Sequence, residues 1–468
     1  MKKNYSISWC LVISFTALFF YGSVGKAQQI TPFKQGDRVV FLGNSITDGG
    51  HYHAYIWLYY MTRFPNMNLM FLNAGIGGDK ASDMVKRLDG DVFSKKPTVL
   101  VSTFGMNDSG YFEYNGSEAE KFADEKVKES HEAFKQMERR FKELPKTRIV
   151  LVGSSPYDET AVIAGNTPFK NKNKAMLRIV DFQKQSAQAN KWEFFDYNTP
   201  ITAINKQFQQ IDPGFTISGN DRIHPDNDGH MVMAYLFLKA QGWAGQKVAA
   251  MSLDVSNMKI SDLENCKISN LKKNVNEVSF DYLAGSLPYP LDTVARGWGS
   301  KKSQFKATEI VPFMEEMNQE LLTVNGLEGK YKLLIDGEFI GTWSADDYKK
   351  GINLADLNQT PQYQQALRIM HLNEERWEVE RRFRDYSWVQ YNFFQPKGLL
   401  DANNRKAIEV FDQYKDKDGW LNAKRDLYSK AMFPEVRKAW QGEMDLLLDL
   451  IKETAKPLKR KVILVKVS

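Results

Sequence analysis

Between residues 37 and 242, short apolar runs alternate with amphipathic stretches. Residues 39–42, 69–72, 98–104 and 148–154 are compact, apolar and bounded by polar, glycine or proline residues, which is the pattern of buried strands. Between the last two, Val127, Phe134, Met137, Phe141 and Leu144 recur at intervals of seven, three, four and three, one face of a helix that Pro145 stops. Met176, Ile179 and Val180 mark a further helix ahead of the strand-like run 192–195. Strand and helix in alternation predict an α/β unit over residues 28–245, a parallel sheet covered on both faces.

The pattern changes near Gln246. Through residue 358 there are β-type segments, such as 275–283, separated by turn-rich sequence, and they predict a small β domain over 246–358. Its clearest hairpin is 331–335, then Asp336-Gly337, then 338–343, because Asp-Gly readily takes the positive φ angles of a two-residue turn. Residues 359–468 read as a helical region whose last helix includes Met444, Leu447, Leu448 and Ile451. Trp377, Phe383, Trp388, Tyr391, Phe393 and Phe394 crowd its first part. At helical spacing they read as core, with a sugar-stacking wall as the alternative.

Composition changes this picture at the N-terminus. Lys2 and Lys3, an apolar run from Ile7 to Val24, and small residues at Gly25 and Ala27 are the pattern of an export signal, residues 1–27, with cleavage expected after Ala27. No later stretch is long and apolar enough to span a bilayer, so the mature chain is expected to be soluble and periplasmic or extracellular. Loss of the signal removes Lys2, Lys3 and Lys26 and no acid, lowering the formal charge from +6 to +3. That is too little to argue for nucleic acid. Of the two cysteines, Cys10 lies in the signal, leaving Cys266 without an intramolecular partner.

Candidate chemistry sits where strands end. Ser45 follows the run 39–42 and precedes a helix expected over 53–64, a strand-to-helix turn that lifts a hydroxyl above the sheet edge; the plain alternative is a helix cap. Asn107 follows the run 98–104, and its side-chain amide can donate to an oxyanion, although Asn-Asp is also a common turn. The glycine-rich run 73–79 supplies bare backbone N–H groups or simply a tight loop. His224 is the natural candidate for a base, since imidazole is the side chain suited to proton transfer at neutral pH, and Asp221 three residues earlier can accept its Nδ1 proton; by itself Asp-x-x-His is as often a surface turn. His51 and His53 have the spacing of a metal pair but no third ligand at a convincing spacing, so they are expected to rim the mouth, with His230 in the helix beyond the His224 loop.

Taken together, Gly43-Asn44-Ser45-Ile46, the 73–79 loop, Gly105-Met106-Asn107-Asp108 and Asp221-Arg222-Ile223-His224 resemble the four ordered blocks of the SGNH hydrolases, the GDSL-type esterase superfamily. The resemblance covers about residues 37–242 and implies a three-layer α/β/α fold with a parallel central sheet. It implies Ser45 as nucleophile, His224 as base, Asp221 as its orienting acid, and an oxyanion hole made of the Ser45 and Gly78 N–H groups and the Asn107 amide. Gly78 is preferred to Gly77 because the family places its donor just before the position held here by Asp79. Asn44 stands where the named motif has Asp, a departure outside the implied triad.

The resemblance further implies a secreted serine esterase acting on carboxylic esters, above all O-acetyl groups of carbohydrates, through an acyl-enzyme and with no metal or organic cofactor. Two rivals remain open: a lipid esterase or lysophospholipase, which would favour long acyl chains, and a carbohydrate-binding protein with a vestigial hydrolase site. The intact set of four blocks argues against the second. Part of the chain beyond Gln246 is expected to pack beside the catalytic mouth.

Overall fold

The computed structural model describes residues 29–49, 51–296, 300–414 and 419–467. The export signal and its cleavage point lie outside the described residues. The central sheet is made of β1 (Arg38–Gly43), β2 (Met70–Gly75), β3 (Val99–Phe104), β4 (Arg148–Gly153) and β5 (Glu193–Asp196), in the order β2-β1-β3-β4-β5 with every neighbouring pair parallel. Successive side chains of a strand point to opposite faces, so each strand feeds two cores. Val39, Phe41, Val99, Val101, Val150 and Val152 pack on one side with the helices Tyr52–Arg63 and Asn227–Ala240. Val40, Leu42, Leu100, Phe104, Ile149 and Leu151 pack on the other with Ala81–Arg87, Ala119–Lys142 and Lys172–Asn190. The three-layer α/β/α arrangement is therefore present. The helix through Phe134 and Phe141 ends at Lys142, short of Leu144, since a residue before proline disfavours helical ψ.

The second region contains two sheets. In one, β6 (Ala249–Asp254) and β7 (Lys259–Glu264) pair with each other. Next along the chain come β8 (Cys266–Lys273), β9 (Glu277–Ala284), β10 (Glu320–Asn325), β11 (Lys330–Ile335), β12 (Glu338–Ser344) and β13 (Ile352–Asn353). The four-stranded sheet has the order β13-β10-β6-β7. The Asp336-Gly337 turn joins β11 to β12 with φ of 53° and 88°, the two positive angles that the dipeptide allows.

One expectation needs correction. The region 359–468 is not helical to its end: β14 (Arg460–Lys466) is a strand, and it occupies the middle of the five-stranded sheet β12-β11-β14-β9-β8, antiparallel to both neighbours. Val462 and Leu464 alternate with the half-buried Ile463 and Val465 and are themselves fully buried in the core shared with Phe280, Leu333 and Leu322. A short alternating run is a strand only where two edges await it.

The helix Pro361–Trp388 begins at Thr360, whose hydroxyl accepts the Tyr363 N–H, with Pro361 in the first turn where its missing donor costs nothing. It packs on Pro434–Thr454, on Tyr52–Arg63 and on β2, the edge strand of the central sheet. The aromatic crowd divides: Phe393 and Phe394 join Phe411 and Tyr428 in a separate core, while Trp377 faces the first domain.

Candidate active site

β1 runs into Asn44, whose carboxamide oxygen accepts the Ile46 N–H and so caps the helical turn Ser45–Asp48. This is the work of the residue that departs from the family motif, and it needs no charge. From β2, the Asn73 amide donates to the carbonyls of Thr47 (3.1 Å) and Asp48 (3.0 Å), holding the far end of the same turn. The two strands approach so closely that a Cβ on Gly75 would lie 2.2 Å from Asp48 N, which only glycine avoids. Ser45 is thus fixed by the ends of two adjacent strands.

Ser45 Oγ lies 2.8 Å from His224 Nε2, and His224 Nδ1 lies 2.6 Å from Asp221 Oδ2. The other Asp221 oxygen accepts the Ile223 and His224 N–H groups, each at 2.9 Å. Burial pushes the Asp221 carboxyl up, but the His224 ring and these amides outweigh it and hold it below the usual carboxylate value. Side chains of His224 and Asp221 are 47% and 51% exposed, so the mouth is open. The loop owes its shape to two residues. Gly219 has φ 72°, and a Cβ there would meet His224 O at 2.2 Å. Arg222 has φ 67°, a conformation costing about 1–3 kcal/mol for a non-glycine residue. Its buried guanidinium offsets that by donating to the carbonyls of Asp158, Ala161 and Asn166.

Opposite, the loop after β2 turns at Gly78 with φ 88°. The Gly77 N–H donates to Asp48 Oδ2 at 3.1 Å, whereas among the described residues no acceptor takes the Gly78 N–H. The buried Asn107 amide donates to Asp79 O (2.9 Å), and its oxygen accepts the Tyr111 hydroxyl (2.5 Å). With its oxygen occupied and one amide hydrogen on Asp79 O, Asn107 keeps a second amide hydrogen to donate. Asp108 ties three segments together, accepting from Gly105 N, Ala81 N and Ser130 Oγ. Lys172 is fully buried, donates to Met106 O, Ser109 Oγ and Gly110 O, and lies over the Tyr111 ring; burial brings its ammonium down to about 7.

Of the five residues singled out by sequence, Ser45, His224 and Asp221 are joined by hydrogen bonds, and Asn107 is bonded to the carbonyl of Asp79, the residue after Gly78. Arg222, Asp108, Tyr111 and Lys172 were not singled out, because nothing in their spacing announces a tertiary partner. His53 differs from expectation: it does not rim the mouth but is buried against Phe41, with its Nε2 on Thr47 O. The cause is the helix Tyr52–Arg63, which turns that position towards the sheet. His51 stacks on Trp377 at 4.8 Å, so this tryptophan is packed and is not an open sugar wall. His230 lies in the helix Asn227–Ala240, buried and stacked on Tyr52. Among the described residues no group of three His, Cys, Asp or Glu side chains is placed to hold a metal ion. Beyond Gln246, the Lys301 and Lys302 N–H groups donate to Asp226 Oδ2, two residues past His224, so this region does pack beside the mouth. No described helix is long and apolar enough to cross a membrane. A separate depression lined by Arg63, Phe64, Gln246, Glu264 and Asn265 lies at the seam with the β domain and includes none of the five residues.

Residues 41–232 match the GDSL-like Lipase/Acylhydrolase family, and residues 367–456 match the Diltiazem deacetylase C-terminal helical domain. A solved structure described as a gut microbial diltiazem-metabolizing enzyme is 64% identical, covers 94% of this chain and 100% of its own, and has a TM-score of 0.93. An acetylxylan esterase of Geobacillus stearothermophilus is 25% identical over 230 residues, which are 44% of this chain and 95% of that protein. A crystal structure of an acetylxylan esterase from that organism aligns at 22% identity and a TM-score of 0.36, over 45% of this chain and 95% of the other.

Proposed function

Because this chain belongs to the SGNH hydrolase superfamily and is a carboxylic ester hydrolase, we propose that it removes acetyl groups from alcohol oxygens through an acyl-enzyme at Ser45. The observation that carries this reading is the 2.8 Å and 2.6 Å pair of contacts from Ser45 through His224 to Asp221, and we assign the oxyanion donors to the N–H groups of Ser45, Gly78 and Asn107. Ser45 Oγ attacks the ester carbonyl while His224 Nε2 takes its proton, and Asp221 stabilises the imidazolium and fixes its tautomer. The carbonyl electrons move onto oxygen, and the three donors hold that oxyanion. Collapse expels the alkoxide, which leaves as the alcohol with the proton from His224. Water, deprotonated by His224, then attacks the acyl-enzyme, and collapse returns Ser45 and releases acetate.

As substrates we propose acetylated carbohydrates, with the chain exported by residues 1–27 to meet them. The open mouth at His224 leaves room for a bulky alcohol, which supports the carbohydrate reading and equally an acetylated drug. The relation to a diltiazem-metabolizing enzyme over 94% of the chain favours diltiazem as a second substrate of the same site. The test is acetate release from acetylated xylooligosaccharides and from diltiazem, beside p-nitrophenyl esters of increasing chain length. We expect rates highest on acetate and a loss of about 10⁵-fold or more in kcat for Ser45→Ala. Equal rates for Ser45→Ala and wild type would overturn the reading, and a maximum at octanoate or longer would replace it with a lipid esterase.

A further inference from the structure

β2 is the edge strand of the central sheet, and it carries the loop that presents Gly78. An edge strand has backbone groups with no ladder partner, and a buried one must find them elsewhere. Here they are supplied from some 300 residues away by the helix Pro361–Trp388. Glu380 Oε1 accepts the Asn73 N–H at 2.9 Å, and Arg384 Nη1 reaches Gly75 O at 3.4 Å. Both side chains are buried.

Arg384 then continues inward. Its two terminal nitrogens donate to both oxygens of Asp91, at 3.0 and 2.6 Å. The same carboxylate accepts Arg87 Nη1 at 2.7 Å, and Arg87 Nε donates to Asp79 Oδ2 at 2.7 Å while its Nη1 and Nη2 hold the carbonyls of Ala74 and Gly43. Asp79 follows Gly78 directly, and its carbonyl receives the Asn107 amide. Arg87, Asp79 and Asp91 have almost no solvent contact, so each charge depends on the next for compensation. A continuous line of charge-assisted bonds, Arg384 to Asp91 to Arg87 to the Asp79 carboxylate, therefore joins the helical region to the residue beside Gly78, whose backbone carbonyl in turn accepts the neutral Asn107 amide.

We propose that Arg384 is a positioning residue of the esterase reaction, acting through Asp91, Arg87 and Asp79 to set the Gly78 loop and the Asn107 amide at the oxyanion. The helical region is then a part of the oxyanion hole and not an appendage to a self-sufficient hydrolase. This inference rests on the roles proposed above for Ser45 and Asn107.

A double-mutant cycle on the full chain tests it, with kcat on p-nitrophenyl acetate normalised to active sites counted by a fluorophosphonate that labels Ser45. Arg384→Met is expected to lower kcat about tenfold to a hundredfold with KM within about threefold, since one oxyanion donor is worth 10²–10³ in kcat. In the Asn107→Ala background the same substitution should cost at least about threefold less than in wild type, because one of the two donors it positions is already gone and only the Gly78 N–H is left to displace. Arg384→Lys keeps a cation beside Asp91 without the fork that spans both oxygens, and the cycle is read with it should Arg384→Met not fold. Equal losses in both backgrounds, or a kcat within threefold of wild type, would overturn the proposal. Ser45→Ala separates the two claims: if it retains activity the esterase site itself is misassigned, whereas an inactive Ser45→Ala alongside an additive cycle rejects only the role of Arg384.

Discussion

The two sides of the mouth are built on opposite principles. The His224 side is a loop open to water, in which Asp221 and His224 are about half exposed and bonded to each other within four consecutive residues. On the other side Gly78 itself is exposed, but Asn107 and the charges behind it, Asp79, Arg87 and Asp91, are buried and compensated by arginines from two regions of the chain. The contrast suits the roles proposed above for each side. A base must exchange protons with solvent and leaving group, while an oxyanion hole gains from donors that cannot relax and from a low local dielectric.

The comparison makes distinct demands on substitutions. Asp221→Asn should lower kcat by about 10⁴-fold, because the imidazole loses its tautomer and its counter-charge, yet leave the melting temperature within a few degrees, as expected of a solvent-exposed group. Calorimetry showing a large loss of stability would break the contrast. Asp91→Asn should differ by costing stability as well as kcat. Burial pushes the Asp91 carboxyl up, but Arg384, Lys95 and Arg87 overcome it and hold it well below the usual range. Removing its charge strands these cations, and denaturant melts should show a loss of about 3–5 kcal/mol.

The smallest effect is one of pH. Burial pushes the Asp48 carboxyl up from 3.8 to about 6, against the opposing pull of Arg384. The folded chain therefore binds its proton more tightly than the unfolded chain, and ionisation costs stability as pH rises from 3.8 to about 6. Asp48→Asn keeps an acceptor for the Gly77 N–H without that cost. Its stability relative to wild type should rise by about 3 kcal/mol across this interval and stay flat above it, as read from urea melts at a series of pH values. Asp221, held below its ordinary value, has the opposite sign: its contribution is present near neutrality and is lost as pH falls. The same slope for both carboxylates would erase the distinction between the two sides.

What could be read along the chain was whatever is local. The apolar runs at 39–42, 98–104 and 148–154 are strands because period-two burial on both faces admits little else, and Asp336-Gly337 turns because its φ angles are intrinsic to the dipeptide. The Asp221–His224 pair was legible for the same reason: three residues of loop suffice to join them. Ser45 and Asn107 were legible as ends of strands, since parallel sheets present their carboxyl ends together.

The rest was decided by partners far away in sequence. The run 461–466 is short, apolar and rich in β-branched residues, a strand pattern masked by the long helices before it, but its partners are not legible in it: it became the middle strand β14 because β9 and β11 left a place between them. His53 went to the core because its helix turned that face inward, and Arg222 holds a left-handed conformation only because carbonyls of residues 158–166 receive its guanidinium. Glu380 and Arg384 look like ordinary charges on a solvated helix until that helix is laid on the edge of β2. The sequence by itself determined the parallel core, the four motif blocks and the acid–base pair, each encoded in a few neighbouring residues. Only the tertiary structure decided which buried charges would compensate one another, because that energy exists between segments some 300 residues apart and leaves no local pattern in either.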